Sequence, residues 1–308
     1  MKRAYRDLRR NACALFVLLV GLPMAVLSAH QTVAEELKPS MVTYKQTEDS
    51  DGKEVELRLH VFMKEQEEGA AKRPAIVFFF GGGWVGGTPQ QFYPHCQDLA
   101  GRGMVAIAAE YRVRGKHGTP PQACVEDGKS AIRYVRKIAK ALNVDTNRIV
   151  AAGGSAGGHV AACTGVIKGF EAEGEDTEIS SKPNLMILFN PVLDTSPKNG
   201  YGASKVAGGD PLVISPLHHV HKEQPPSLIF HGDADKTVKI DSIRSFEEKS
   251  KKLGAQSKLL EYEGAGHGFF NHAKFRKQKE GAPNYYELTM EQAVKFLAKH
   301  GYVNGTAD

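Results

Sequence analysis

"AAGGSAGGHV", residues 151–160, sets one serine between two pairs of glycines, directly behind the strand-like run Arg148-Ile149-Val150. Gly153-Gly154-Ser155-Ala156-Gly157 fits G-x-S-x-G, the pattern of a nucleophilic serine on a sharp turn between a strand and a helix. Such a turn strains the serine backbone, and a bulky residue two positions away would collide with it. Glycine at 153 and 157 removes those collisions and exposes the Ser155 hydroxyl. In a chain with 32 glycines the motif by itself also fits a loose structural turn, so its surroundings must decide.

Those surroundings alternate between strand and helix signals. Pro74 introduces "AIVFFF", a continuous apolar run suited to a strand buried on both faces, which stops at Gly81-Gly82-Gly83. A helix is predicted over 91–101, a strand from Met104, and a helix over 121–142 with Ile132, Val135 and Ile138 on one side. The strand at 148–152 precedes Ser155, and a small-residue helix is predicted over 156–167. Short apolar strands are predicted at 185–189, 228–230 and 258–262. Upstream, 41–47 and 55–63 flank a polar turn and read as an antiparallel hairpin. The fold class is therefore α/β: a mostly parallel central sheet with helices on both faces and an antiparallel N-terminal edge. The acidic stretch from Lys168 reads as a solvated loop. Residues 194–226, rich in Gly, Pro and Ser, sit where a short substrate lid could be inserted.

The first 34 residues have a different character. Lys2, Arg3, Arg6, Arg9 and Arg10 precede an apolar stretch from Ala12 to Ala29 with small residues at its exit, which is the layout of a secretory signal peptide. A retained anchor is the alternative, against which Pro23 and the small-residue exit argue. The expected organisation is a signal peptide over 1–34 and one domain over 35–308, secreted or periplasmic and without a membrane segment after cleavage. The leader carries five basic residues and Asp7, so its removal lowers the formal charge from +5 to +1. Nothing that remains suggests a nucleic-acid partner. Cys96, Cys124 and Cys163 persist without metal-ligand spacing. Cys163 reads as a buried thiol, while a Cys96 to Cys124 bridge is left open by an oxidising compartment.

A serine hydroxyl needs a base, and the base needs an orienting carboxylate. "SLIFHGDADKTV" supplies Asp233 and Asp235 just past a strand, and "GAGHGFF" supplies His267 past the next. Asp235 is taken as the orienting carboxylate, and Asp233, nearer the strand, as a turn residue. Eleven other histidines compete with His267; His218, His219 and His221 cluster in the lid segment, and His159, one helical turn from Ser155, reads as a packing residue. Acyl transfer also requires N–H groups aimed at the developing oxyanion. Gly81, Gly82 and Gly83, together with the Ala156 N–H, are the expected donors. Trp84 reads as the residue that packs this loop down or, more weakly, as a sugar-stacking platform.

Taken together, "FFFGGGW", "GGSAGG", "HGDAD" and "GHGF" resemble the α/β-hydrolase fold over about residues 70–300. Within it they resemble the carboxylesterases related to hormone-sensitive lipase and the secreted bacterial acetylxylan and feruloyl esterases. One position departs from that pattern. Phe80 stands where the family usually has a histidine that helps hold the glycine loop. The resemblance implies a serine esterase with no metal or organic cofactor, acting on a small-molecule or carbohydrate ester such as acetylated xylan. A general short-chain carboxylesterase, an arylformamidase and an inactive binding protein of the same fold are the alternatives.

Overall fold

The continuous apolar run behind Pro74 forms the centre of an eight-stranded sheet in the computed structural model, which describes residues 37–277 and 280–304. The predicted leader lies outside the described residues. The strands are β1 (Ser40–Glu48), β2 (Glu54–Phe62), β3 (Arg73–Phe79), β4 (Val105–Ala109), β5 (Val144–Gly154), β6 (Leu185–Phe189), β7 (Ser227–Gly232) and β8 (Ser257–Tyr262). Their spatial order is β1-β2-β4-β3-β5-β6-β7-β8. β1 pairs antiparallel with β2, with Thr47 opposite Val55, and β2 pairs antiparallel with β4. Every pairing from β4 to β8 is parallel.

Alternation along the central strands explains why both faces are covered. Ala75, Val77 and Phe79 of β3 join Ile149 and Ala151 of β5 in one apolar cluster, while Ile76, Phe78, Val150 and Ala152 belong to the other. A strand whose residues must be apolar on both sides loses the polar alternation of a half-exposed strand. α3 (Pro121–Lys137) and α4 (Ala156–Val166) cover the first face, with Val125, Ile132 and Val160 buried there; α5 (Ile240–Lys252) adds Ile243 and Phe246. α1 (Tyr93–Gly101) and α6 (Tyr285–Lys299) cover the second face through Leu99, Met290 and Leu297. A one-turn helix, α2 (Arg114–His117), lies between β4 and α3.

Some boundaries differ from the sequence reading. The helix predicted to reach Leu142 ends at Lys137, and β5 begins earlier than predicted, at Val144, which pairs with Arg73 before the register shifts. The segment from Lys168 is a loop, but its charges are not all solvated. The buried Lys129 ammonium donates to the Ile167 carbonyl and to Glu171, and Arg133 pairs with Glu171 and Glu175. Segment 194–226 contains short 3-10 turns at Ala203–Lys205, Pro211–Ile214 and Pro216–His218. It is tied to the body by Leu217 N–H donating to the Leu193 carbonyl at 2.7 Å.

No bridge joins Cys96 and Cys124, the pairing that the sequence leaves open. Cys96 and Cys124 are both free and buried, on α1 and α3, which belong to opposite faces of the sheet. Burial pushes both thiols up, and Cys124 donates to the Arg112 carbonyl at 3.1 Å.

Candidate active site

The parallel sheet brings the ends of β3, β5, β7 and β8 to one rim, where rigid strands can aim loop side chains at a common point. Ser155 occupies the turn between β5 and α4 with φ 54° and ψ −120°. A non-glycine residue holds such a conformation only where the surroundings enforce it. They do so here by three backbone bonds: Ser155 N–H donates to the Phe189 carbonyl at 2.9 Å, and the Ser155 carbonyl accepts from His159 at 3.0 Å and Val192 at 3.2 Å. A Cβ at Gly157 would lie 2.0 Å from the Phe79 carbonyl oxygen, and one at Gly153 would lie 2.4 Å from the Gly157 oxygen. Both glycines are steric requirements of the turn.

His267, on the loop after β8, reaches back over 112 residues of sequence to place Nε2 2.9 Å from Ser155 Oγ. Its Nδ1 lies 2.7 Å from Asp235 Oδ2. A carboxylate can only accept, so Nδ1 carries the ring proton and Nε2 is left to accept from the Ser155 hydroxyl. Asp235 is buried, and burial pushes its carboxyl up. The His267 hydrogen bond and the N–H groups of Val238 and Thr237 outweigh burial and hold it below the usual carboxylate range. Asp233 accepts from Gly264 N–H at 2.7 Å, pinning the β7 turn to the β8 loop.

The glycine loop is held differently from a loop anchored by histidine. The Phe80 ring stacks on Tyr111 with centroids 4.1 Å apart, and the Tyr111 hydroxyl donates to the Phe80 carbonyl. One expected donor is corrected: Gly81 N–H is engaged by Gln91 Oε1 at 2.6 Å, so it does not face a substrate. Among the described residues the N–H groups of Gly82, Gly83 and Ala156 have no acceptor. The Ala156 group also opens α4, where the helix dipole favours negative charge.

The platform reading of Trp84 is corrected as well. The ring is 1% exposed, edge-on to His159 and 5.7 Å from Tyr201. His159 Nε2–H donates to the Ile214 carbonyl at 2.7 Å, which leaves Nδ1 to accept from the indole N–H at 3.2 Å. His159 thereby joins the glycine loop to segment 194–226, and burial pushes its pKa down to about 4. His218, His219 and His221 make contacts within that segment, away from Ser155.

Several residues without a sequence motif complete the site. Gln91 Nε2 donates to Asn271 Oδ1 at 2.8 Å, and Asn271 Nδ2 donates to the Gly268 carbonyl at 2.8 Å. Asn190, at the end of β6, accepts from Gly268 N–H at 2.9 Å. The loop carrying His267 is thus fixed just beyond the histidine, at Gly268 and Asn271. Among the described residues, no group of three or more His, Cys, Asp or Glu side chains could hold a metal ion.

Comparison with known proteins follows this geometry. A family model described as BD-FAE matches residues 59–199, and one described as dienelactone hydrolase family matches residues 194–301. Esterase LipC of Mycobacterium tuberculosis is 30% identical over 215 residues, covering 64% of this chain and 53% of that protein. The chain spans about half the length of the curated relatives it matches. Solved structures align more fully. Thermogutta terrifontis esterase 2 phosphorylated by paraoxon is 44% identical, with a TM-score of 0.78, covering 88% of this chain and 98% of that one. The butyrate-bound form of the same esterase is 42% identical, with the same TM-score and coverages.

Proposed function

The chain belongs to the α/β-hydrolase serine esterases, and from that premise we propose that it hydrolyses short-chain acyl esters through an acyl-enzyme on Ser155. The observation that carries the proposal is the unbroken hydrogen-bond chain from Ser155 through His267 to Asp235, set on a strained strand-to-helix turn. Ser155 Oγ forms a bond to the ester carbonyl carbon while its proton passes to His267 Nε2. The carbonyl π pair moves onto oxygen, facing the N–H groups of Ala156, Gly82 and Gly83. Collapse breaks the carbon–alkoxide bond, and Nε2 returns the proton to the departing alcohol. Water repeats the sequence on the acyl-enzyme. Asp235 keeps the ring in the required tautomer and stabilises its charged form.

Acetyl groups on carbohydrate, such as acetylated xylan, are the proposed natural substrate, in a secreted or periplasmic enzyme that loses its first 34 residues. The resemblance of the four motifs and the layout of the leader support this reading. A general short-chain carboxylesterase is the second reading. It is favoured by the burial of Trp84, which removes a sugar platform, and by the butyrate-bound relative.

Labelling by a fluorophosphonate tests the nucleophile: the wild type should be labelled at Ser155 and a Ser155→Ala protein should not. Full activity of Ser155→Ala on p-nitrophenyl acetate would overturn the mechanism. Acetate release from acetylated xylan, set against turnover of tributyrin, separates the two substrate readings.

A further inference from the structure

Segment 194–226 brings a second pair of polar groups to the glycine loop. Lys205 Nζ donates to the Gly83 carbonyl at 3.1 Å and lies 3.5 Å from the Tyr201 hydroxyl. The ammonium sits 5.0 Å from the Tyr201 ring centroid and 5.8 Å from that of Trp84. A methyl group in place of the outer Gly83 hydrogen would be 3.1 Å from Tyr201 Oη and 3.2 Å from Lys205 Nζ. Hydroxyl and ammonium therefore lie side by side against the loop whose N–H groups are proposed to meet the oxyanion.

Neither group is used by the mechanism, and both are half-buried. Among the described residues Lys205 has no carboxylate partner, and the Tyr201 hydroxyl donates to no acceptor. A partly desolvated cation held only by a carbonyl, a phenol oxygen and two ring faces lacks a counter-charge. On the loop that carries His267, the exposed Arg276 and Lys277 line a recess of about 390 Å³ that also contains His267.

We propose that Lys205 and Tyr201 form a subsite for a carboxylate on the substrate, selecting esters that carry an acid group near the reacting carbonyl. One carboxylate oxygen would accept from Nζ and the other from the phenol, a charge-assisted pair at the lip of the glycine loop. The proposal rests on the esterase reading and names a substrate class within it. The carboxylate could lie on the acyl side, as in a dicarboxylic half-ester, or on the alcohol side, as in an acetylated hydroxy or uronic acid.

The test compares two pairs of near-isosteric esters: monomethyl succinate with methyl valerate, and O-acetylglycolate with propyl acetate. The wild type should prefer the charged member of at least one pair in kcat/KM, and which pair locates the carboxylate. Lys205→Gln should lower that preference about ten-fold, the lower end of what one hydrogen bond to a charged group contributes. Lys205→Arg should retain most of it, and added salt should weaken it in the wild type. Equal use of charged and neutral esters by the wild type would overturn the proposal. So would a Lys205→Gln protein that loses activity on both members of a pair equally, which would make Lys205 a brace of the glycine loop. A wild type inactive on all four esters would overturn the esterase reading as well.

Discussion

Gln91 and Asn271 are joined side chain to side chain at 2.8 Å across 180 residues of sequence, and this one contact links the loop after β3 to the loop after β8. Through it the Gly81 N–H, the Gln91 amide, the Asn271 amide and the Gly268 carbonyl form a continuous chain. The proposed oxyanion donors and the proposed base are thereby held at a fixed separation. Gln91→Ala is expected to lower kcat with little change in KM. The loss should be about ten-fold, smaller than the 10² to 10³ typical when a direct oxyanion donor is removed. Asn271→Ala should do the same, and the double variant should be no worse than either single one. Steady-state kinetics on p-nitrophenyl acetate provide the check.

Asp235→Asn should preserve the packing and invert the hydrogen-bond polarity at Nδ1. The asparagine NH₂ can donate to Nδ1, which moves the ring proton to Nε2, where it can no longer accept from Ser155. A fall in kcat of about 10⁴ is expected, with the melting temperature nearly unchanged. Asp233→Asn should keep nearly full activity, because that side chain accepts only a turn N–H.

Gly157→Ala should be far more damaging than its size suggests. The added methyl would meet the Phe79 carbonyl oxygen at 2.0 Å and that of Phe80 at 2.3 Å, and backbone cannot yield as a flexible side chain can. Destabilisation of about 3 kcal/mol or a failure to fold is expected. Gly101→Ala, where an added methyl meets nothing within 4 Å, is the control and should be neutral or slightly stabilising in urea unfolding.

Stability should fall on mild acidification. Burial pushes His95 down to about 3 and His159 down to about 4. Both rings are thus neutral in the folded protein, while the unfolded chain takes up protons below about pH 6.5. Their contribution is complete above that pH and declines as pH falls, until the folded-state values are passed. Between pH 8 and pH 5 each ring should account for about 2 kcal/mol of lost stability. His95 lies among Phe78, Phe92, Phe189, Phe270 and Tyr286, and neither ring nitrogen has a hydrogen-bond partner. His95→Phe should therefore flatten the pH dependence of the urea midpoint, and an unchanged slope would count against it.

The legible features were those with a local chemical cause. Residues 75–80 had to be apolar throughout because both faces of β3 are covered, and Gly153 and Gly157 had to be glycine because carbonyl oxygens close in on them. Other features depend on partners that only the fold supplies. Gln91 and Asn271 are amides on separate loops with no periodicity or motif to join them. Trp84 could be read either way until His159 and Tyr201 were placed around it. Gly81 looked equivalent to its neighbours, yet Gln91 engages its N–H. The order β1-β2-β4-β3 was equally hidden, since β4 inserts between strands that precede it in the chain.

The strand order also bears on how activity is recovered after unfolding. Ser155, Asn190, Asp235 and His267 follow β5, β6, β7 and β8, four neighbouring parallel strands, and the glycine loop follows β3 beside them. Each of these pairings closes a long stretch of chain, and long-range closures are slow steps in folding. Catalytic competence must therefore wait for the last of them. In a refolding experiment, the return of ester turnover would time the completion of the sheet, trailing any signal that reports only helix formation or collapse.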